Sequence, residues 1–588
     1  MENLDIARTL EELADLLEIQ GANPFKVRAY RNAVRTIQGL TRPLAAMVEE
    51  GEDLTELPGI GKDMAAYITE LVQTGSLKRF DEVAAQVPVS LVELVHLDGV
   101  GPKKAKRLWE ELGVTNLEAL EEALDAGKVE TLAGFGKKSA DRIRRAIEDY
   151  RKHSGRFRLD EAEQLIAGLV KHMKSAPGLE RFEVAGSFRR RKETVGDVDM
   201  LAAAEGDGEA VVKHFAAFSG AHRVDEVGPT KGNIVLRSGL SIDLRVVPRH
   251  CFGAAFQYFT GSKEHSVVLR GRSLKMGMRL NEWGLFRPPE GVDPESLGKD
   301  EGEFVAGRTE EELYEALGLV WIPPELRENR GEVEAAEHDA LPKLITRERI
   351  RGDLHMHTTW SDGKASVEEM VQACVDRGYV YMAISDHSRA MGMVGGLTAE
   401  RAREQWEEIA AVREKFPGIE ILRASEVDIL KDGSLDFSDE ILEELDLVIV
   451  SVHTHMELDG AAMTKRVLRA IQHPQVDILA HPTGRLLGRR EPFSMDVEAV
   501  LEAAKELQVA VELNANPHRL DLNDVHLQRA RELGVKVAIN TDAHQPAGLD
   551  NMRFGIGQAR RGWLEPKHVI NTLTPKQFRK WRNRKRAS

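Results

Sequence analysis

Cysteine is almost missing from this sequence of 588 residues. The two that occur, Cys251 and Cys374, stand far apart in unlike contexts, which excludes a disulfide framework and a cysteine zinc site and fits a reducing cytoplasm. Long apolar runs are missing too: no stretch approaches the roughly 18 residues a spanning helix requires. The opening MENLDIARTLEELADLL lacks the basic head and apolar centre of a signal peptide, and Ile6, Leu10, Leu13 and Leu17 already follow a helical period. What remains is a soluble globular composition, 42% apolar and 30% charged, long enough for several domains with real cores.

Excess positive charge is also lacking, since the net charge is −15, and spread evenly this would argue against a nucleic-acid partner. It is not spread evenly. Residues 134–158 hold nine Lys/Arg against three acids, and residues 576–588 hold seven against none. Local basic surface is what neutralises phosphates. The final segment reads as a basic tail.

Residues 1–150 read as short helices between glycine-rich turns, and one turn recurs three times: LPGIGKDMAAYI at 57–68, LDGVGPKKAKRL at 97–108 and LAGFGKKSADRI at 132–143. Each is a Gly-x-Gly hairpin opening a helix. Gly59, Gly61, Gly99 and Gly101 let backbone N–H groups approach a ligand closely, and the helix start adds partial positive charge, so the turn suits a backbone phosphate of DNA. Two helical DNA-binding domains are expected, 1–86 and 87–150. From 151 the pattern turns to alternating strands mixed with helices. Residues 319–348, with three prolines in 319–349 and many charges, read as a linker.

In GDVDM, Asp197 and Asp199 lie two apart on a predicted strand, so both carboxylates share one face. In SIDLRVV, Ile242 and Leu244 take the buried face and Asp243 the other. Carboxylates gathered on one face repel one another unless cations hold them, and two Mg²⁺ ions do so while aligning attacking and leaving oxygens. Upstream, AGSFRRRKETVGDVD places Gly186, Ser187, Arg189 and Arg190 in a strand-to-helix turn suited to a triphosphate.

GSFRR, GDVD, IDLR and YFTGS, in this order and spacing across roughly residues 1–320, resemble the family X DNA polymerases, the polymerase beta-like enzymes. The resemblance implies an α+β nucleotidyltransferase palm (151–250) and a nucleotide-binding thumb (251–318). It implies that Asp197, Asp199 and Asp243 hold two Mg²⁺ or Mn²⁺ ions, with Asp243 nearest the primer 3′ hydroxyl. Ser187, Arg190 and Gly196 would bind the incoming triphosphate, and Tyr258, Phe259 and Gly261 would form a turn against its sugar. Arg270 would contact the template, and Lys26 and Tyr30 a 5′ phosphate. The sequence departs from the pattern at Tyr67, where lyase-competent relatives carry a Schiff-base lysine. It departs again at Ser266, where many carry an asparagine reaching the base, and at Lys263, which replaces an aspartate.

Ten of the nineteen histidines lie between 355 and 544, most where an apolar run ends: DLHMH, AISDH, ILRASEVDI, LVIVSVHTH, DILAHP and VAINTDAH. With VAVELNAN these give about seven strand-helix units, and ligand residues at strand C-terminal ends are what a barrel presents at its active face. His355, His357, Asp362, His387, Glu426, His453, His481, Asp542 and His544 resemble the ligand set of the polymerase-and-histidinol-phosphatase (PHP) family. The resemblance implies a distorted (β/α)7 barrel over 349–575 with three divalent metals, Mn²⁺, Zn²⁺ or Fe²⁺, hydrolysing phosphate esters. His455 is the leading non-ligand candidate for the scissile phosphate.

The expected protein is therefore multidomain: an all-α helix-hairpin-helix N-terminal region, a palm with thumb, and a PHP barrel. Short-gap filling from deoxynucleoside triphosphates on gapped or primer-template DNA is expected, with 3′–5′ exonuclease or 3′-end processing, and apurinic-site incision as a further activity. It would act as a monomer, cytoplasmic and associated with the nucleoid. The rival readings are a PHP small-molecule phosphatase, a structural metal domain, or a DNA-binding scaffold with spent sites.

Overall fold

The computed structural model describes the chain apart from residues 1–2, 39–43, 96, 98, 133, 154–155, 205, 207 and 585–588. It divides into two compact units. The first comprises Met1–Phe157, Glu161–Pro177 and Glu209–Asp243, and the second Arg158–Asp160, Gly178–Gly208 and Leu244–Ser588. The division runs through the stretch expected as a single palm, and through the strand Ser241–Val247 itself. Among the described residues no helix is long and apolar enough to cross a membrane.

The first unit is helical over most of its length. Ile6, Leu10, Leu13 and Leu17 are all buried, as their spacing predicts. The helix Pro24–Gln38 buries Val27, Tyr30, Val34 and Ile37, a stripe at helical spacing. This corrects the expectation for Tyr30. The residue lies on the core face, stacked on Tyr67 with centroids 6.1 Å apart, while Lys26, one turn earlier at the edge of the same stripe, is exposed.

In the second unit, the strands Leu179–Val184 and Asp197–Ala204 pair antiparallel, with Val184 opposite Met200. Three short antiparallel strands and the helices Phe252–Thr260 and Lys263–Lys275 follow. Residues 319–348 do not form the loose linker expected of them. Leu319, Ile322, Leu326, Val333 and Ala336 enter a hydrophobic core, and Arg327 is completely buried. The prolines and charges shape a braced segment because its apolar residues and Arg327 have partners to bury against.

The C-terminal part of this unit is a barrel of seven parallel strands: β1 (Gly352–Asp353), β2 (Tyr381–Ile384), β3 (Glu420–Asp428), β4 (Leu447–Ser451), β5 (Ile478–Leu479), β6 (Ala510–Asn514) and β7 (Val537–Asn540). Each pairs with the next in chain order. The seam between β1 and β7 is closed by side chains. Asn571 donates to Gly352 O and Ile539 O and accepts from Ile539 N, and beyond it His357 N donates to Ala543 O. One amide side chain thus substitutes for a missing rung of backbone ladder.

Side-chain alternation fills the barrel in layers. Tyr381, Ala383, Leu422, Ala424, Leu447, Ile449, Ala510 and Ala538 belong to one buried cluster. Two residues further along each strand come Ser385, Glu426, Ser451, Glu512 and Asn540, all buried and polar. The same period of two that packs the interior delivers the ligands to its C-terminal mouth. The opposite end is plugged by the helix Pro575–Arg582, whose Phe578 is buried and stacked on Tyr381 at 4.6 Å. This corrects the reading of 576–588 as a basic tail: Phe578 and Trp581, three apart, give the helix an apolar side, while Arg579 meets Glu420 and Arg584 meets Asp477. Residues 585–588 lie outside the described part.

Candidate active sites

The three hairpins share one backbone device. Gly59, Gly99 and Gly134 have φ of +76°, +86° and +83°, which only glycine adopts without strain. Gly61, Gly101 and Gly136 adopt ordinary φ, and a Cβ added to any of them would meet nothing. The first glycine of each pair therefore serves the turn, and the second leaves open the space in front of the helix Lys62–Thr74, Pro102–Leu112 or Lys137–His153.

A second site surrounds a cavity of about 370 Å³ lined by Gly186, Ser187, Arg190, Asp197, Asp199, Tyr258, Phe259, Thr260, Gly261, Lys263, Ser266 and Arg270. Nearly every residue expected to touch a nucleotide is there, while Gly196, beside Asp197 in the chain, is not among the lining residues. Val198 and Met200 are buried, so Asp197 and Asp199 turn together to the other face. Asp243, the last residue of the first unit, lies half-buried on its strand between buried Ile242 and Leu244. Gly186 has no room for a side chain, since a Cβ would sit 2.2 Å from Asp199 Oδ2. Arg190 donates from Nη1 to Thr260 O at 2.5 Å and from Nε to Glu328 at 3.0 Å. Its neighbour Arg189 does not enter this cavity. It pairs with Glu310, which also receives both Nη groups of Arg327.

At the mouth of the barrel the nine expected ligands converge. Three overlapping groups have potential ligand atoms within 4.8 Å of one another: His357, Asp362, His387 and His544; His355, His357 and Asp542; and His387, Glu426 and His453. His481 joins through Nε2, 2.8 Å from Glu426 Oε1. Glu426 is the centre of the arrangement. Its Oε1 faces His453 and His481 and its Oε2 faces His355 and His387, the disposition of a carboxylate shared between cations.

The donor set fits divalent metal ions. His357 Nδ1 and His387 Nδ1 are buried without a hydrogen-bond partner, a costly state for a ring nitrogen unless a ligand completes it. Burial would keep His453 and His544 neutral, but Glu426 and Asp428 push His453 up to about 9, and Asp362 and Asp542 do the same to His544. His357 moves the other way, to about 3, because burial and the facing His387 and His544 disfavour its cation. Burial opposes ionisation of Glu426 and Asp542, yet the surrounding histidines hold both well below the ordinary carboxylate range. His455 lies apart from these groups, exposed at the surface with Nδ1 3.7 Å from Glu457.

Two carboxylates were missed from the sequence. Glu512 accepts from His355 Nδ1 at 2.8 Å, and Asp428 lies 3.1 Å from His453 Nδ1, so each fixes the ring whose other nitrogen faces the centre. Their signal was present in VELNAN and SEVDI as acids at strand ends with the same inward parity as the ligands.

The fold and these sites define a class: a helix-hairpin-helix nucleotidyltransferase joined in one chain to a metal-binding PHP barrel. Family models agree, matching a helix-hairpin-helix domain at 1–77, a SAM-like helix-hairpin-helix tandem at 91–149, a DNA polymerase beta thumb at 255–328 and a PHP domain at 353–516. The chain is 40% identical over 578 residues, 98% of both chains, to the DNA polymerase/3′-5′ exonuclease PolX of Bacillus subtilis. It belongs to the PolX family, the family X DNA polymerases that carry a PHP domain. It is also 27% identical over 348 residues to rat DNA polymerase lambda, covering 55% of this chain and 56% of that one. A probable phosphatase of Thermoanaerobacter sp. is 29% identical over 232 residues, 37% of this chain and 89% of the phosphatase.

Proposed function

We propose that this protein is a DNA-directed DNA polymerase filling short gaps during repair, and that its PHP domain removes nucleotides or blocking groups from DNA 3′ ends. The observation that carries the reading is the pairing, in one chain, of a cavity lined by Ser187, Arg190, Asp197 and Asp199 with a nine-ligand centre built around Glu426. DNA is held by the hairpins at Gly59–Gly61 and Gly99–Gly101, with Lys26 and Arg270 adding charge. In the cavity, Ser187 and Arg190 bind the triphosphate, Tyr258, Phe259 and Gly261 its sugar, and Lys263 and Ser266 its remaining polar edge. Asp197, Asp199 and Asp243 hold two Mg²⁺ or Mn²⁺ ions, which supply charge neutralisation at the reacting phosphate.

In the barrel the nine ligands would hold three divalent ions, of Mn²⁺, Zn²⁺ or Fe²⁺ type, which when bound would supply charge neutralisation for a phosphodiester and acidification of a water. His455, exposed and apart from the ligand groups, is the non-ligand candidate to contact the scissile phosphate, and Glu512 and Asp428 keep the ligand rings oriented. The test is a one-nucleotide-gapped, end-labelled DNA incubated with Mg²⁺ or Mn²⁺ and wild type, Asp243→Ala or His355→Ala. Asp243→Ala should lose insertion by several powers of ten and keep nucleotide release. His355→Ala should do the reverse. Parallel reactions with a small phosphate monoester and an apurinic site decide between 3′-end processing, small-molecule phosphatase action and apurinic-site incision. Release of phosphate from the monoester alone would reject the nuclease reading.

A further inference from the structure

The turn that offers Arg190 to the cavity is held from behind by the barrel. Glu328, in the segment read from sequence as a linker, accepts from Arg190 Nε at 3.0 Å and from Arg561 Nη1 at 2.8 Å. Arg561, near the end of the helix Met552–Arg561, is 3% exposed. It also donates to Arg190 O at 2.9 Å and to Asp524 Oδ2 at 2.6 Å. Arg330 meets the same Asp524 oxygen at 3.1 Å. One residue before Glu328, Arg327 O accepts from Ser262 N of the YFTGS turn. Both walls of the cavity that carry nucleotide-facing residues are thus braced by residues 327–328.

Within this group Arg190, Arg330 and Arg561 oppose Glu328 and Asp524, leaving one positive charge in surplus. Arg190 uses Nε and Nη1 on Glu328 and Thr260, and Nη2 makes no hydrogen bond to a described residue. Glu328 is divided between two guanidiniums. If Arg561 lost its charge, the whole carboxylate would fall on Arg190, and the carbonyl of Arg190 would lose its buried donor. Both changes reduce what Arg190 can offer an incoming anion.

We propose that Arg561, though it belongs to the PHP barrel, is a positioning residue of the polymerase reaction: by sharing Glu328 with Arg190 it keeps the Arg190 guanidinium oriented and available for the nucleotide triphosphate. This rests on the reading of the cavity as the nucleotide site. A residue acting only through Arg190 changes how tightly nucleotide is held, so its loss is read in KM rather than kcat.

The experiment is single-nucleotide insertion into gapped DNA by the full chain as wild type, Arg561→Gln, Arg561→Lys and Arg330→Gln. KM for the nucleotide, kcat, nucleotide release by the barrel and the melting temperature are measured for each. Arg561→Gln should raise KM about 5- to 20-fold with kcat within about two-fold, and barrel activity should stay within about two-fold. Arg561→Lys should recover part of the loss, since it restores the charge but not the three donations. Arg330→Gln loosens the contact to Asp524 without touching Glu328, and should leave KM within about two-fold. An unchanged KM in Arg561→Gln overturns the proposal. So does an equal rise in Arg330→Gln, or a joint loss of both activities with a fallen melting temperature, each of which marks a merely structural contact. No insertion by the wild type would instead overturn the polymerase reading itself.

Discussion

Replacing Glu512 by glutamine should cripple the barrel centre without touching a single ligand. Glu512 is fully buried, and all of its partners are donors. Oε1 accepts from His355 Nδ1 at 2.8 Å and Asn540 Nδ2 at 2.9 Å, while Oε2 accepts from His481 N at 2.8 Å and Asn514 Nδ2 at 3.3 Å. A glutamine of the same shape must turn its NH₂ toward one of these pairs, whichever way the amide flips. Two buried donors then face donors, at a cost of about 1–3 kcal/mol. If the NH₂ faces His355, the ring loses the acceptor that holds its Nδ1 proton and leaves Nε2 free to bind a cation. If it faces His481 N, the backbone carrying another ligand shifts. Loss of such an outer carboxylate typically lowers metal affinity or activity 10- to 100-fold, equivalent to about 1.4–2.7 kcal/mol. Titration calorimetry with Mn²⁺ and release of a 3′-terminal nucleotide should both register the loss, with insertion at the polymerase site unchanged. A folded Glu512→Gln protein with both quantities within about two-fold of wild type would refute the reasoning.

Three other outcomes follow from the structure. His453 and His544 have pKa values near 9 in the metal-free protein, above about 6.5 for an exposed histidine, so their contribution to stability is complete below pH 6.5 and is lost as pH rises through 9. The metal-free melting temperature should fall across that window while apparent Mn²⁺ affinity climbs, because the ion displaces these protons; a melting temperature flat with pH contradicts this. Glu310 is 5% exposed and receives Arg189, Arg327 and Trp321, so Glu310→Gln strands the buried Arg327 and should cost about 3–5 kcal/mol in urea unfolding, a loss under about 1 kcal/mol being inconsistent with the geometry. Tyr67 stacks on buried Tyr30 and has no amine to form a Schiff base, so borohydride should trap little adduct on an abasic 5′ end; strong trapping that vanishes in Lys62→Ala would show that the exposed lysine nearby has taken the role.

What the sequence determined by itself was everything encoded at short range. The Gly-x-Gly hairpins, the Asp197–Asp199 pair and the ligands at strand ends are each written within a few residues, because turn dihedrals and the period of two are local properties. Glycine at 59, 99 and 134 is demanded by a positive φ, and the parity that buries Leu447 and Ile449 also aims His453 inward. The tertiary structure decided which of several locally equivalent residues meet. Glu512 and Asp428 have the same parity as Glu426, and only the closing of the barrel sets them beside the outer nitrogens of His355 and His453. Tyr30 sits in a basic, polar stretch, yet its place on the stripe with Val27, Val34 and Ile37 takes it into the core once a partner surface exists. The charged segment at 319–348 and the cationic C-terminal helix look solvated in one dimension because charge is visible in sequence and partners are not. Arg327 is buried because Glu310 receives it, and Phe578 because Tyr381, Leu422, Leu447 and Ile449 give it an apolar barrel interior to pack into. The link from Arg190 through Glu328 to Arg561 spans hundreds of residues, and no local rule writes it. It exists only because packing brings a palm turn, a braced segment and a barrel helix to one place.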